Sequence, residues 1–378
     1  VEQGFVQGNN DPCCFYHPLR IFRLTLYVDD LKLISTKANI LWLHNLLVKR
    51  FETRELVWIE PGVTEDYLGM EISMDCHRNV FVSMQEYSLK LVKYMETEMT
   101  HSVSFTTPAP FADNNNEIDE TLLDRNQTAQ FQKALGCIGW LVSCIRLDLA
   151  YTYSRIAQDM SQPNKSSWVR LIHAIKYIKG TSTLAGYIPC KAKGEKPVWT
   201  CFCDSDQSSD RSARNQGKCR YGSIVTVHGF PVHYKTQTTS VAMAQPSMGT
   251  DGNVCTSSTE AEIYGCSNAA THAMHVSYIA EELGYDFPKP FVMLMDNAAA
   301  EVFCNNTASY TRLKHIDLRQ QWVALIRNSG IMVPKHIDTK LNLADMFTKG
   351  LTGITLQEMT GKVLTKMLPF FNNDDEGL

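Results

Sequence analysis

Four carboxylates in the C-terminal half of this 378-residue chain stand where apolar runs end or where a helical pattern turns inward. Asp204 follows "VWTCFC", Asp296 follows "FVMLM", Glu262 lies within "SSTEAEIYGCSNAA", and Asp345 lies within "NLADMF". Acids delivered by separate elements suit hard divalent cations, which take oxygen ligands. Two Mg²⁺ ions about 3.5–4 Å apart can clamp the attacking and leaving oxygens of a phosphodiester during an in-line displacement. One ion polarises water while the other takes up charge on the leaving 3′ oxygen. One aspartate at a strand end is more often a turn or cap residue, so the pattern has meaning only if all four converge. Glu260 and Glu262 point about 200° apart on a helix, and Glu262 shares its side with Ile263, Cys266 and Ala270. Asp206 competes with Asp204 for the first position, and the spacing leaves that choice open.

A second acidic pair interrupts "LTLYVDDLKLIS" at Asp29 and Asp30. Taken alone, Asp-Asp between two apolar runs is an ordinary hairpin tip, because Asp tolerates turn backbone angles and stays solvated.

The elements that must position these acids follow from periodicity. "FYHPLRIFRLTLYV" predicts a strand and "LKLIST" its return, "NILWLHNLLVKRFETREL" a helix, "DYLGMEISM" and "NVFVSM" a strand pair, and "QEYSLKLVKYMETEM" an amphipathic helix. "TTPAPFADNNNEIDETLLDRN" is rich in Pro, Asn and acid, as a surface linker is. Three helical patterns follow it, "AQFQKALGCIGWLVSCI", "LDLAYTYSRIAQDM" and "SSWVRLIHAIKYIKG", the last with a cap signal before it and Gly180 at its end. From Trp199 come three strands, one long helix closing at Gly284, then strand, two helices, strand, and a helix over "NLADMFTKGL". The fold class expected is therefore α/β (α+β), divided at 1–105, 106–195, 196–351 and 352–378.

Hydrophobic residues make up 44% of the chain and charged residues 20%, a composition that builds packed cores. A formal net charge of −4 and a pI near 6.3 exclude a wholly basic nucleic-acid binder, so any grip on phosphate must be local. The twelve cysteines show no repeated zinc spacing and read as reduced thiols. No apolar run reaches the roughly 18–20 residues that span a bilayer, and the first residues show no basic region followed by an apolar core and a small-residue cleavage site, so an intracellular protein, cytoplasmic or nuclear, is expected. The opening at Val1 reads as that of a fragment or a processed product.

The words "LTLYVDDLKLI", "DYLGMEI", "ALGCIGWLVSCIRLDLAYTYSRIAQDM", "IKYIKGT", "SSTEAEIYGCSNAA", "MDN", "KHIDLRQQWV" and "LADMFTKGL" occur in an order that resembles the polymerase of Ty1/copia-type retrotransposons. The resemblance covers most of the chain. It implies the C-terminal part of a reverse transcriptase, palm and thumb-like, over 1–105, a linker and helical connection over 106–195, and a ribonuclease H domain of RNase H-like fold over 196–351, with a tail over 352–378. It implies Asp204, Glu262, Asp296 and Asp345 as the metal-holding carboxylates that cleave the RNA strand of an RNA/DNA hybrid. Two Mg²⁺ ions are the expected cofactor, with Mn²⁺ as a substitute. Asp29 would be the metal ligand of the polymerase motif and Asp30 its neighbour. That motif needs a further aspartate from an earlier palm strand, so the polymerase half is expected to be incomplete, with the missing portion as a partner. The chain departs from the family after Asp206, where "QSSDRSARNQGKCRYG" replaces a Trp-small-Gly continuation, and in the longer "AMAQPSMGTDGNVCT" before Glu260. A co-opted binding protein without catalysis, or a subunit completing a polymerase in trans, are the rival readings.

Phosphate contacts are expected from Arg211, Arg214, Lys218 and Arg220, beside the first acidic strand, and from Lys314 and His315 in "TRLKHID". Lys349, after the last helical pattern, reads either as a phosphate contact or as a cation compensating a helix dipole. Trp140, Tyr151 and Tyr153 fall at helical spacing and are expected in the core.

Overall fold

The computed structural model describes residues 2–99, 105–109, 119–192, 194–207, 218–238, 258–305 and 318–366. Strands Trp199–Gln207, Cys219–Val227 and Phe230–Thr238 form an antiparallel meander, and Phe291–Met295 and Met332–His336 extend it on the other side. Both later strands run parallel to Trp199–Gln207, which puts that strand at the centre of a mixed five-stranded sheet. This is the RNase H-like arrangement that the sequence led us to expect.

Strand alternation sends the two faces of the central strand into different cores. Cys201 and Cys203 pack beneath the long helix Ser258–Glu282 with Ile263, Cys266, Ala269 and Ala270. Phe202 faces the other way, into a larger core with Ile224, Ala344 and Phe347. That second core also takes in helices Arg125–Cys144 and Lys165–Gly180. Each helix starts where a side chain can satisfy its orphan amides. Asp124 accepts from Gln127 N, and Asn164 forms a reciprocal capping box with Ser167.

A second five-stranded sheet runs in the order Leu364–Lys366, Leu184–Ile188, Val80–Ser83, Met70–Met74, Thr64–Tyr67. Its strands come from 1–105, 106–195 and 352–378, so it crosses the divisions drawn from sequence. The part of the expected linker that is described is anchored: Phe105 stacks on His173 at 3.9 Å and His173 Nε2 bonds Thr107 O at 2.9 Å.

The N-terminal sheet, Val6–Gln7, Cys14–His17, Phe22–Tyr27 and Asp30–Ser35, docks on the end of the long helix. Glu282 accepts from Asn9 N at 3.0 Å and from Asn10 Nδ2 at 2.8 Å, and the Arg23 guanidinium lies 4.4 Å over the Tyr285 ring.

Several elements differ from expectation: the helix over "NILWLHNLLVKRFETREL" ends at Leu47, and the expected tail holds helix Gly353–Thr360 and strand Leu364–Lys366, packed into the larger core. The run from Phe15 to Val28 is two antiparallel strands, because Pro18 has no N–H for the ladder and lies in the turn between them. "DYLGMEISM" also folds back on itself, with Leu68 at φ 57° and Gly69 at φ 80° in the turn. "NLADMF" is a 3₁₀ turn over Leu343–Phe347, preceded by another over Thr339–Leu341, and not an α-helix. Asn342 holds the junction, its Oδ1 accepting from Ala344 N at 3.2 Å.

Candidate metal centre

Asp204, at 1% exposure, sits on the central strand, and Asp296 just beyond the end of its parallel neighbour. Leu294 pairs with Phe202, so two residues further on Asp296 stands level with Asp204. Neighbouring strands lie about 4.8 Å apart, which brings the two carboxylates to one edge of the sheet. Glu262 reaches them from the long helix, its Oε1 accepting from Ser205 N at 3.2 Å. The helix comes this close because Gly265 faces the strand: a Cβ there would lie 3.2 Å from Asp204 O. Carboxylate oxygens of Asp204, Glu262 and Asp296 all lie within 4.8 Å of one another. Among the described residues, no other three histidine, cysteine or acidic side chains come together in this way. Glu260, two residues back on the same helix, is outside the group, as is Asp206.

Asp345 approaches from the opposite face, on the 3₁₀ turn. It joins the others through Lys349, whose Nζ is 3.2 Å from Asp345 Oδ1 and 3.4 Å from Asp204 Oδ2. Thr348 Oγ1 donates to the same Asp204 Oδ2. The turn lies flat on the sheet because Gly222, which pairs with Asp204, has no side chain. A Cβ there would lie 2.7 Å from Ala344 O and 2.9 Å from Phe347 Cβ. Asn342, fully buried, ties the turn to the strand by donating to Cys203 O at 3.0 Å.

The site concentrates negative charge in a poorly solvated place. Burial first, then the Asp345 carboxylate, push the Asp204 acid up to about 7, against the pull of Lys349 and Thr348. Burial and the charges of Asp204 and Asp296 push Glu262 up to about 9. Burial also raises Asp345, although Lys349 opposes it. Burial disfavours the Lys349 ammonium, but Asp204 and Asp345 outweigh it and hold the ammonium charged.

Asp204 Oδ1 and Glu262 Oε2 are buried without a hydrogen-bond partner. Buried acceptors are normally satisfied, and an all-oxygen donor set with two such atoms fits a hard divalent cation. Asp204, Glu262 and Asp296 are the residues that would hold it.

Of the expected phosphate contacts, Lys218 is half-buried just before strand Cys219–Val227, and Arg211, Arg214, Lys314 and His315 lie outside the described residues, as does most of each departure from the family pattern. Arg220 is a correction. It is 4% exposed, donating to Ser154 Oγ at 2.8 Å and Thr236 Oγ1 at 3.1 Å with its guanidinium 5.1 Å from the Tyr151 ring. It points to the face that helix Ala150–Ile156 covers, so it binds protein and has no surface to offer phosphate. Tyr153 packs into the larger core as expected, whereas Trp140 keeps 38% of its surface exposed. Asp29 and Asp30 are exposed at the hairpin tip beside Val28, at φ 55°. Among the described residues no third carboxylate joins them.

Sequence reasoning passed over Gly222, Gly265, Asn342 and Thr348. Asn342 alone carried a local signal, as a cap-forming residue three before Asp345.

No family model matches the chain. Over 355 residues it is 24% identical to the retrovirus-related Pol polyprotein from transposon TNT 1-94 of Nicotiana tabacum, covering 92% of this chain and 25% of that protein. It is 25% identical to the corresponding polyprotein from transposon RE2 of Arabidopsis thaliana, over 95% of this chain and 23% of that one. The Ty1-NL2 Gag-Pol polyprotein of Saccharomyces cerevisiae matches at 24% over 90% of the chain and 19% of its own length. The chain thus spans about a quarter or less of these relatives. Among solved structures, the foamy viral protease-reverse transcriptase in complex with RNA/DNA hybrid overlaps with a TM-score of 0.43 at 11% identity, over 84% of this chain and 36% of that one. The N-terminal RNase H domain of a Mycobacterium tuberculosis protein overlaps with a TM-score of 0.25 at 13% identity, over 43% of this chain and 98% of that one. The fold assignment rests on strand order and register, not on these overlaps. The homologues of this chain, aligned over 92–97% of it, are Pol polyproteins of Ty1/copia-type retrotransposons.

Proposed function

We propose that the chain is a ribonuclease H-bearing segment of a copia-type Pol protein and hydrolyses the RNA strand of RNA/DNA hybrids with divalent metal, Mg²⁺ or in its place Mn²⁺. The observation that carries this reading is the convergence of Asp204, Glu262 and Asp296 from three separate elements, with unpartnered buried oxygens on two of them. Divalent ions held there would supply an activated water and neutralise charge on the leaving oxygen. The protein's own part is placement. Ser205 N fixes Glu262 Oε1, Thr348 fixes Asp204 Oδ2, and Asn342 holds the turn that carries Asp345. Pre-set geometry of this kind spares the reaction the cost of assembling its charges.

Its partner on this reading is an RNA/DNA hybrid met inside the cell. Asp29 and Asp30 are read as the polymerase-motif pair, which needs a further carboxylate from a palm segment to hold metal. The helices of the structure are none of them long and apolar enough to cross a membrane among the described residues.

The test is incubation of the purified chain with a hybrid labelled on its RNA strand, in Mg²⁺ and in EDTA, beside Glu262→Gln. Cleavage that needs metal and disappears in the variant supports the reading. Equal cleavage by the variant overturns it, and binding of the hybrid without cleavage moves the weight to a co-opted binding protein.

A further inference from the structure

Asp204 divides its two oxygens between two surroundings. Oδ2 accepts from Thr348 Oγ1 and lies 3.4 Å from Lys349 Nζ, whereas Oδ1 is buried with no partner. The four acids therefore fall into two sets that share Asp204. One set, with Glu262 and Asp296, has its ligand atoms within 4.8 Å of one another. The other, with Asp345, already contains a cation, because Lys349 Nζ is 3.2 Å from Asp345 Oδ1.

We propose that the Lys349 ammonium is a built-in cation holding the Asp204–Asp345 side of the site. The nucleic-acid-free protein then takes one divalent ion tightly, at Asp204, Glu262 and Asp296, and a second only when that ammonium is displaced. The inference rests on the proposed reading of these carboxylates as metal ligands, and it assigns to Lys349 the role of a positioning residue.

Backbone geometry places the lysine. Its N–H donates to Asp345 O at 3.1 Å, one helical turn along, so the side chain rises beside the carboxylate it neutralises. The stem is flexible and the side chain 37% exposed, so an open route to solvent exists. Electrostatics favours the division. Four ionised carboxylates carry four negative charges, and one divalent ion with one ammonium balances three of them in a site where burial makes each unpaired charge costly. A second divalent ion close to Asp204 Oδ2 would meet the ammonium at short range, and like charges so close repel.

The experiment is titration of Mn²⁺ into the protein without nucleic acid, counting bound ions and their affinities by electron paramagnetic resonance and calorimetry. Wild type is compared with Lys349→Met, which keeps the stem and removes the charge, and with Lys349→Arg, which restores it. Thermal melts establish folding, and Lys349→Gln replaces Lys349→Met if that variant is unfolded. We expect one tight ion in wild type and in Lys349→Arg. In Lys349→Met a second ion should bind at least tenfold more tightly than in wild type. Two ions of equal affinity in wild type, or an unchanged second affinity in Lys349→Met, overturns the role of the lysine alone. A wild-type chain that binds no Mn²⁺ overturns the carboxylate reading itself, and this inference falls with it.

Discussion

Gly222 pairs with Asp204 across the antiparallel ladder and lies directly under the turn that carries Asp345. The glycine is required by close approach, since no positive φ is involved. Any Cβ there meets the Ala344 carbonyl and the backbone-bound Cβ of Phe347, neither of which can rotate away. Gly222→Val will lift the turn off the sheet and cost roughly 1–3 kcal/mol of stability through overpacking. Urea unfolding and hybrid cleavage measure the two effects together, and both should fall.

The raised acids set a pH dependence for the metal-free protein. Asp204 and Glu262 titrate near 7 and 9 in the folded chain, against ordinary values of 3.8 and 4.5. The folded state therefore keeps protons that the unfolded chain has lost, so stability falls as pH rises from about 4 towards 9. Melting temperature in EDTA should drop over that window. Mg²⁺ should reverse the drop at pH 8, because a ligand that binds only the folded state stabilises it.

Glu262→Gln keeps the shape of the protonated acid that the folded, metal-free chain holds up to about pH 9, without the proton uptake that holding it requires. Above pH 7 in EDTA the variant should be the more stable protein, by about 1 kcal/mol or more, while hybrid cleavage falls at least a hundredfold. Calorimetry at pH 6 and pH 8 separates the two contributions, with the difference larger at pH 8.

Asn342→Ala leaves Cys203 O and Ala344 N without their partner in a fully buried place. A loss of about 1–3 kcal/mol is expected, together with weaker Mn²⁺ binding as the neighbouring turn loosens. Guanidinium unfolding gives the first quantity and calorimetric titration the second.

Arg146, buried between helices, bonds Asp148 through Nε at 2.9 Å and Nη2 at 2.7 Å, and Tyr177 donates to the same carboxylate at 2.8 Å. Asp148→Ala strands that guanidinium and should cost about 3–5 kcal/mol, or abolish folding, as judged by circular dichroism. Replacing Arg146 and Asp148 together by apolar residues should recover much of the loss.

The sequence made the acids legible for definite reasons. Asp204 and Asp296 each close an apolar run, and Glu262 shares a helical side with small residues that pack on the sheet. The level placement of Asp296 with Asp204 was not readable, because parallel register is set by contacts far apart in the chain. "NLADMFTKGL" reads as an α-helix because its apolar residues Leu343, Met346 and Phe347 stand three and four apart, a spacing too short in extent to separate a period of 3.0 from 3.6. Arg220 reads as a phosphate contact from its place beside the first acidic strand, because a lone strand does not reveal which face the helix Ala150–Ile156 covers. Lys349 was visible as a charge after a helical pattern, but its two carboxylate partners arrive from a strand and a turn that only the fold brings together.

The strand Leu364–Lys366 pairs with Leu184–Ile188, which pairs with Val80–Ser83. Residues from nearly the whole length of the chain thus share one ladder, and the acidic site lies within the span that the ladder closes. A protein trimmed to 196–351 would lose that closing strand and would expose the side of Phe202, Ile224 and Phe347 that now rests on the connecting helices. Such a fragment should be sticky, since the apolar face its missing neighbours cover would be left to solvent. The acidic domain is therefore not a detachable module: its foundations are laid by the residues that precede it and locked by those that follow.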